Sequence, residues 1–402
     1  MSHVVVVGAG QAGSALVAKL RSLGFEGQIT LIGEEAQPPY QRPPLSKAYL
    51  MGEMTAERLL LRSAEYYAEQ NITLKLGHKV GTVNRTAQTV TVGEEVIGYD
   101  HLVLTTGSYP RRLPGAIGGD LAGVYAVRSL ADVDAMRAEF VAGRRVVIVG
   151  GGYIGLEAAA VARKLGLEVT VLEMAPRILQ RVAAPETSDF IRALHVGHGV
   201  TILESTGLER LLGTGRVKGV RLQDGRELPA DFVIAGVGIL PGTALAEPAG
   251  LEIDNGIKTD TYGRTSDPAI WSAGDCASFP HRGSRLRLES VGNAIDQAEV
   301  VAANIMGARI GYEAQPWFWS DQYDCKLQIA GLNSGYDSIV TRGPEGGSVS
   351  FWYYKGDTLL AVDAMNDPRG YMVGKRLIEN GKSPEKAAIA NPATVLKDLL
   401  KA

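Results

Sequence analysis

Apolar residues in this chain form short unbroken runs in its first three quarters and alternating segments in its last quarter. Residues 3–7, HVVVV, form a continuous β-branched run, the pattern of a parallel strand buried on both faces. GAGQAG follows, and SALVAKLRSLG carries apolar positions at helical spacing up to Gly24. A second apolar run at 28–32 predicts the partner strand of a βαβ unit. The pattern recurs with RRVVIVG at 144–150, a helix opened by GGYIGLEAAAVARKLG, and a strand EVTVLE at 168–173. Gly150 stands 142 positions after Gly8, far too long a period for a solenoid. The two units predict two nucleotide-binding domains of one architecture.

YDHLVLTTG at 99–107 predicts a strand running into a tight turn, and SYPRRLPGAIGG after it a crossing linker. ADFVIAGVGILPG at 230–242 repeats strand, glycine turn and proline, and IWSAGDCA lies at 270–277. From about residue 317, KLQIAGL, SVSFWYYKG and TLLAVDAMN alternate as antiparallel strands do. RGYMVGKRLIENG predicts a helix and the last residues an amphipathic turn. The expected fold class is α/β: two Rossmann-type dinucleotide-binding domains plus a C-terminal α+β domain.

Composition narrows the function. The 402 residues suffice for two or three domains with cores of their own. Glycine, at 49 residues, clusters at strand ends, where nucleotide-binding turns need it. A net charge of −3 gives no reason to expect nucleic acid or an anionic membrane as partner. No apolar run is long enough to span a bilayer, and MSHVVVVGAG lacks the features of a signal peptide, so the cytoplasm is the expected address. The two cysteines, Cys276 and Cys325, define no disulfide framework, and no metal motif is present.

Gly8-x-Gly10-x-x-Gly13 lies between a predicted strand and a predicted helix. The first glycine makes the turn, the second admits a pyrophosphate, and the third lets helix and strand pack closely. Helix N–H groups and the helix dipole then face the phosphates. Glu34, 26 positions after Gly8, is the candidate for the ribose hydroxyls, with Glu35 its neighbouring alternative. Gly150-x-Gly152-x-x-Gly155 repeats the signal, with Glu173 located 23 positions after Gly150. A carboxylate there accepts from a ribose 2′-hydroxyl and repels a 2′-phosphate, which favours NAD(H); Arg177 and Arg181 nearby work against that preference. Two dinucleotide sites without a metal motif or a catalytic-serine signature point to electron transfer between NADH and a tightly held flavin, FAD.

In order along the chain, VVVVGAGQAG, RPPLSK, LVLTTGSYPR, VVIVGGGYIGLE, VTVLE, SAGDCA, ESVGNAIDQA and WFWSDQ resemble the FAD- and NADH-dependent ferredoxin reductases of bacterial oxygenase systems, the putidaredoxin reductase type. The wider fold resembles glutathione reductase. The resemblance implies an FAD domain of residues 1–110 and 245–316, an NADH domain of 111–244 and a C-terminal domain of 317–402. For FAD it implies Gly8, Gly10, Ala12, Gly13, Glu34, Arg42, Lys47, Val80, Thr106, Gly107, Arg128, Gly274, Asp275, Ser290, Val291 and Trp319. For NADH it implies Gly150, Gly152, Tyr153, Ile154, Gly155, Glu173, Arg181, Gly236, Val237, Gly238 and Glu289. Simpler roles stand beside three of these. Trp319 could be core packing, Asp275 could cap a helix over CASF, and Arg128 could be a solvated surface charge.

PPYQRPPLSKAYL, at 38–50, lies where related disulfide-handling enzymes place a reactive cysteine, and it contains none. Electrons must therefore leave the flavin directly, and two cysteines cannot hold an iron–sulfur cluster. The resemblance implies hydride transfer from NADH to flavin N5, then two single-electron transfers to a separate 2Fe–2S ferredoxin serving a haem-thiolate monooxygenase. It also places Lys47 near N5, with Glu157 as the natural partner in an ion pair across the FAD and NADH domains. Lys47, Glu157 and Trp319 are the catalytic candidates. The competing readings are a rubredoxin or monodehydroascorbate reductase and a non-catalytic flavoprotein that senses NADH. Arg282, Arg285, Arg287, Lys375 and Arg376 are candidates for a basic rim facing an acidic ferredoxin. The expected oligomeric state is a monomer or weak homodimer.

Overall fold

The structure, a computed structural model, describes residues 2–343 and 347–401. The chain divides into two compact units, and the first comprises Met1–Arg42, Thr55–Tyr109 and Ile239–Pro316. Its centre is a five-stranded parallel sheet in the order Ile270–Ser272, His101–Leu104, His3–Val7, Gln28–Gly33, Ile72–Leu76. The HVVVV run is unbroken because both faces of this strand are covered. Val4 and Val6 pack with Leu16, Leu20 and Val301, contributed by helices Gln11–Ser22 and Val291–Ile305. Val5 and Val7 pack with Ile32, Val90, Val92 and Ile257 on the other face. Each valine buried in this way contributes about 1.5–3 kcal/mol relative to exposure.

The second unit comprises Pro43–Met54, Pro110–Gly238 and Trp317–Ala402. It repeats the parallel sheet, in the order Thr201–Leu203, Glu168–Leu172, Arg145–Val149, Phe232–Ala235, Val124–Tyr125. It also holds a five-stranded antiparallel sheet in the order Trp317–Gln322, Cys325–Gly331, Thr358–Met365, Val349–Lys355, Ser338–Arg342. The expected alternation fails in one strand, since Val349 to Tyr354 are all buried. Phe351 and Tyr353 meet Leu156, Ile178 and Ile191, while Trp352 and Tyr354 meet Tyr371 and Leu377 of helix Pro368–Glu379. A strand covered on both faces has no reason to alternate.

Among the described residues, no helix is long and apolar enough to cross a membrane, and no cluster of side chains could hold a metal ion. Helix Pro185–Gly197 is tied to the antiparallel sheet by buried polar groups. Thr187 Oγ1 donates to Asp363 Oδ2 at 2.7 Å, and the Tyr353 hydroxyl donates to the same oxygen.

Burial pushes the Asp363 carboxyl up to about 6, against two hydrogen bonds that favour its charged form. On the same helix, burial holds His195 down to about 4. These groups give pH dependences of opposite sign. The folded state binds the extra proton at Asp363 between about pH 4 and 6, so that contribution to stability falls as pH rises. The unfolded state binds the extra proton at His195 between about pH 4 and 6.5, so that contribution is lost as pH falls. In urea unfolding across pH 4 to 7, Asp363→Asn should gain stability relative to wild type as pH rises. The difference should grow by at most about 1.4 kcal/mol per pH unit. A difference independent of pH would contradict the assignment.

Candidate functional site

The two glycine turns have the same internal logic. Gly8 adopts φ +119°, and a Cβ there would lie 2.1 Å from the Thr105 carbonyl oxygen. A Cβ on Gly13 would lie 2.1 Å from the Gly8 oxygen. A Cβ on Gly10 would meet nothing within 4 Å. The second turn repeats this: Gly150 at φ +108° abuts the Gly236 oxygen at 2.3 Å, Gly155 abuts the Gly150 oxygen at 2.3 Å, and Gly152 faces open space. The outer glycines are therefore required by the protein's own packing. The middle ones are not, and they leave room for a ligand at the helix start.

Gly10 and Gly152 are the N-caps of helices Gln11–Ser22 and Tyr153–Lys164, which have neither a side-chain cap nor an acid in the first turn. Helix Leu130–Arg137, by contrast, has a Ser129–Asp132 capping box. The uncapped N–H groups and positive dipole suit a pyrophosphate, so both turns fit dinucleotides.

Around the first turn, Thr105 Oγ1 donates to the Gly8 oxygen at 2.8 Å and steadies the loop; sequence reasoning had singled out only its neighbours. Thr106 Oγ1 donates to the Gly242 oxygen at 2.6 Å, and Gly107 takes φ +64°. Ala12 and Val80 are buried. Glu34 is exposed and stands 3.6 Å from Lys79, whereas Glu35 is drawn inward, 2.6 Å from Arg42 and hydrogen-bonded to the Tyr40 hydroxyl. Burial works to lower the Arg42 pKa, but Tyr40, Glu35 and Asp275 raise it overall.

Asp275 does not cap a helix, because CASF enters strand Ala277–His281. Its carboxylate instead accepts from Ser108 Oγ at 2.9 Å, just after Gly274, whose backbone N–H donates to Gln297 at 2.9 Å. Ser290 caps helix Val291–Ile305 by accepting from the Asn293 N–H. Glu289 pairs with Arg287 at 2.5 Å in this first unit.

Around the second turn, Glu173 follows its strand and accepts from the N–H groups of Gly151 at 2.8 Å and Ala175 at 2.7 Å. It thereby fixes a carboxylate beside the turn. Arg177 is engaged by Ser188 at 2.5 Å, while Arg181 and Ile154 are exposed. Gly236 donates to the Val149 oxygen at 2.8 Å, Val237 packs in the adjoining core, and Gly238 takes φ +97°. The Tyr153 ring packs against Phe318 at 4.9 Å between centroids. Arg128 directly precedes the Ser129 cap. Trp319 stacks on Trp317 at 5.6 Å, on the first strand of the antiparallel sheet.

The proline-rich segment is a compact turn. Pro43–Ser46 forms one 3₁₀ turn, with the prolines at its start, where no donor is required. The turn continues as the N–H groups of Lys47 and Tyr49 both donate to the Pro44 oxygen. Lys47 Nζ lies 2.8 Å from Glu157 Oε1, and the two side chains are 17% and 5% exposed. Both residues belong to the second unit. Ser46 Oγ donates to Glu157 Oε2 at 2.6 Å, and Ser320 Oγ to Oε1 at 2.7 Å. Neither serine was a sequence candidate, although both lie inside motifs that carry the resemblance, RPPLSK and WFWSDQ. Removing one partner of such a buried pair costs about 3–5 kcal/mol.

Three of the five basic candidates are engaged within the chain, and Arg282 and Arg376 are exposed. Arg285 donates to the Thr259 oxygen at 2.9 Å, Arg287 pairs with Glu289, and Lys375 pairs with Glu379 at 2.8 Å. Both cysteines are buried free thiols, and burial pushes Cys325 up to about 12.

Comparison with known proteins gives the family. Residues 2–298 match the pyridine nucleotide-disulphide oxidoreductase family, and residues 317–400 match the reductase C-terminal family. The chain belongs to this FAD-dependent oxidoreductase family, with a glutathione-reductase-like fold. Within it, the chain is a ferredoxin reductase of the putidaredoxin reductase type. It is 43% identical to putidaredoxin reductase of Pseudomonas putida, over 100% of this chain and 97% of that protein. It is 42% identical to rhodocoxin reductase of Rhodococcus erythropolis, over 96% of this chain and 92% of that protein. Its structure matches the reductase of the covalent putidaredoxin reductase–putidaredoxin complex with a TM-score of 0.96 at 42% identity, covering 100% and 98% of the two chains. It matches the ferredoxin reductase for the CYP199A2 system of Rhodopseudomonas palustris with a TM-score of 0.96 at 38% identity, covering 99% of each chain.

The contrast within each glycine turn is testable. Gly152→Ala should leave the thermal midpoint within a few degrees of wild type and weaken binding of the dinucleotide at that turn at least tenfold. Gly155→Ala should lower stability by about 1–3 kcal/mol or prevent folding. Calorimetry and NADH titration check both. Equal loss of stability in the two variants would contradict the division of roles.

Proposed function

We propose that the chain takes electrons from NADH through FAD and passes them singly to a 2Fe–2S ferredoxin that serves a haem-thiolate monooxygenase. The observation that carries this reading is the pair of glycine turns on one chain, each open at its middle glycine, together with a buried lysine–glutamate pair in the segment where disulfide-handling relatives carry cysteine. FAD is assigned to residues 1–110 and 245–316, and NADH to 111–244. Support for the acceptor comes from the relatives, among them a reductase solved in covalent complex with putidaredoxin. A cytoplasmic address and a monomeric or weakly dimeric state belong to the same reading.

Bound FAD would supply what no side chain here can: acceptance of a hydride from NADH and release of the two electrons one at a time. The protein's part is position and charge. Gly10 and the helix start behind it receive one pyrophosphate, and Gly152 and its helix start the other. Arg42, held by Glu35 and Tyr40, adds positive charge on the FAD side, and Asp275 offers a carboxylate to the ribitol. Glu173, fixed by two backbone N–H groups, presents negative charge where a 2′-phosphate would sit, which selects NADH over NADPH. Lys47, held 2.8 Å from Glu157, would place its ammonium group beside the flavin's reacting end. Trp319 and Arg128 complete the proposed FAD contacts.

The purified protein should be yellow. NADH should bleach it at least tenfold faster than NADPH at equal concentration. Lys47→Ala should retain FAD yet slow bleaching by NADH tenfold or more, or shift the flavin potential. Steady-state assays with a 2Fe–2S ferredoxin, a rubredoxin and monodehydroascorbate as acceptors should favour the ferredoxin. A preparation that stays colourless with added FAD would overturn the reading.

A further inference from the structure

The donors around Glu157 form a chain that runs in one direction. A carboxylate only accepts, so the single hydroxyl proton of Ser320, 2.7 Å from Oε1, is committed to Glu157. The Ser320 oxygen must then accept from Gln322 Nε2, which lies 3.0 Å away. That leaves the Gln322 carbonyl oxygen to accept from His195 Nε2 at 2.7 Å, so Nε2 carries the proton. His195 is a neutral imidazole whose Nδ1 faces the Tyr323 hydroxyl at 3.4 Å. Glu157, His195, Ser320 and Gln322 are all buried, beside the apolar cluster of Leu156, Ile191 and Leu327. All of them lie within the second compact unit.

A polar chain beside an apolar core is costly unless every member is satisfied. Here each link is satisfied, and each points its donor towards the carboxylate. An amide in the middle cannot relay protons as a water chain does, so the chain orients rather than conducts. The charged and titratable groups facing Glu157 are Lys47 from the 3₁₀ turn and Tyr153 from its own helix. Those facing His195 are His198, the C-cap of its own helix, and Tyr323, in the turn between the first two strands of the antiparallel sheet.

We propose that Ser320, backed by Gln322 and His195, is a positioning residue that keeps Glu157 ionised and aimed at Lys47, so that Lys47 stays cationic and fixed. This inference rests on the reading of Lys47 as the lysine that serves the flavin. It extends that role to a strand and a helix remote in sequence from both fingerprints. Removing a donor to a carboxylate raises its pKa.

The test uses FAD-bound protein carrying ¹³C-carboxyl glutamate. The Glu157 resonance is the one absent from Glu157→Gln. Ser320→Ala should move the Glu157 titration midpoint up by about one pH unit. It should also move the acid limb of flavin reduction by NADH, measured by stopped flow, in the same direction, giving a rate about tenfold lower on that limb. Ser320→Thr, which keeps the hydroxyl, should restore both. His195→Phe should shift both the same way by less. If Ser320→Ala does not retain FAD, Ser320→Cys, close in size but a poor donor, carries the same measurements. Coincident Glu157 titrations in wild type and Ser320→Ala would overturn the proposal. An unshifted His195→Phe beside a shifted Ser320→Ala would overturn the part assigned to His195. Wild-type flavin that NADH does not reduce would instead refute the functional reading, while the Glu157 titration would still decide the role of Ser320.

Discussion

The second unit is organised around one buried carboxylate. Glu157 sits on the helix that the second fingerprint opens, and leaving its charge unpaired there would cost several kcal/mol. Three donors answer it, from Ser46, Lys47 and Ser320. Two come from the proline-rich turn and one from the antiparallel sheet. A single charge thus brings together three segments far apart in sequence, and a shift in any of them would leave it exposed to an apolar interior. That demand explains why 43–54 packs with the second unit although its neighbours on either side belong to the first. It also explains why the prolines form a tight 3₁₀ turn: a lysine and its preceding serine can reach the same carboxylate only if the backbone doubles back within one turn.

The glycine turns solve the opposite problem, which is how to leave a place empty. In each, two glycines are consumed by contacts of about 2 Å that any Cβ would violate, and one is held clear of protein atoms. Carbonyl oxygens of a neighbouring strand end, Thr105 in one unit and Gly236 in the other, press against the first glycine and fix the turn. The space at the helix start therefore follows from packing behind it, and the uncapped N–H groups give that space its preference for phosphate.

Much of this was legible in the linear pattern. An unbroken valine run means a strand covered on both faces, and a glycine triplet between strand and helix means a phosphate-binding turn, because both rest on contacts between near neighbours in sequence. The place of Glu173 beside its turn was legible for the same reason: it directly follows the strand next to that turn. Glu34 and Glu35 were harder, because adjacent residues leaving a strand point to opposite sides, and only the position of Arg42 and Tyr40 shows which carboxylate turns inward. The Asp275 segment looked like a helix start because an aspartate before small residues is also a good cap; pairing of Ala277–His281 with neighbouring strands decided otherwise. The partners of Arg285 and Arg287 were not legible, because sequence carries no record of which carbonyls and carboxylates will stand opposite.

The sequence by itself determined the two glycine turns, the acid beside the second, the strands and helix that flank each turn, and the absence of a redox cysteine pair, since each depends on residue type and short spacing. Only the tertiary structure decided that Ser46 and Ser320 would join Lys47 at Glu157, that Val349–Tyr354 would be buried on both faces, and that Gln322 and His195 would line up behind the same carboxylate. Those outcomes depend on segments more than a hundred residues apart meeting within hydrogen-bond distance. Burial, which makes such meetings obligatory, is a property of the packed chain and not of any stretch of it.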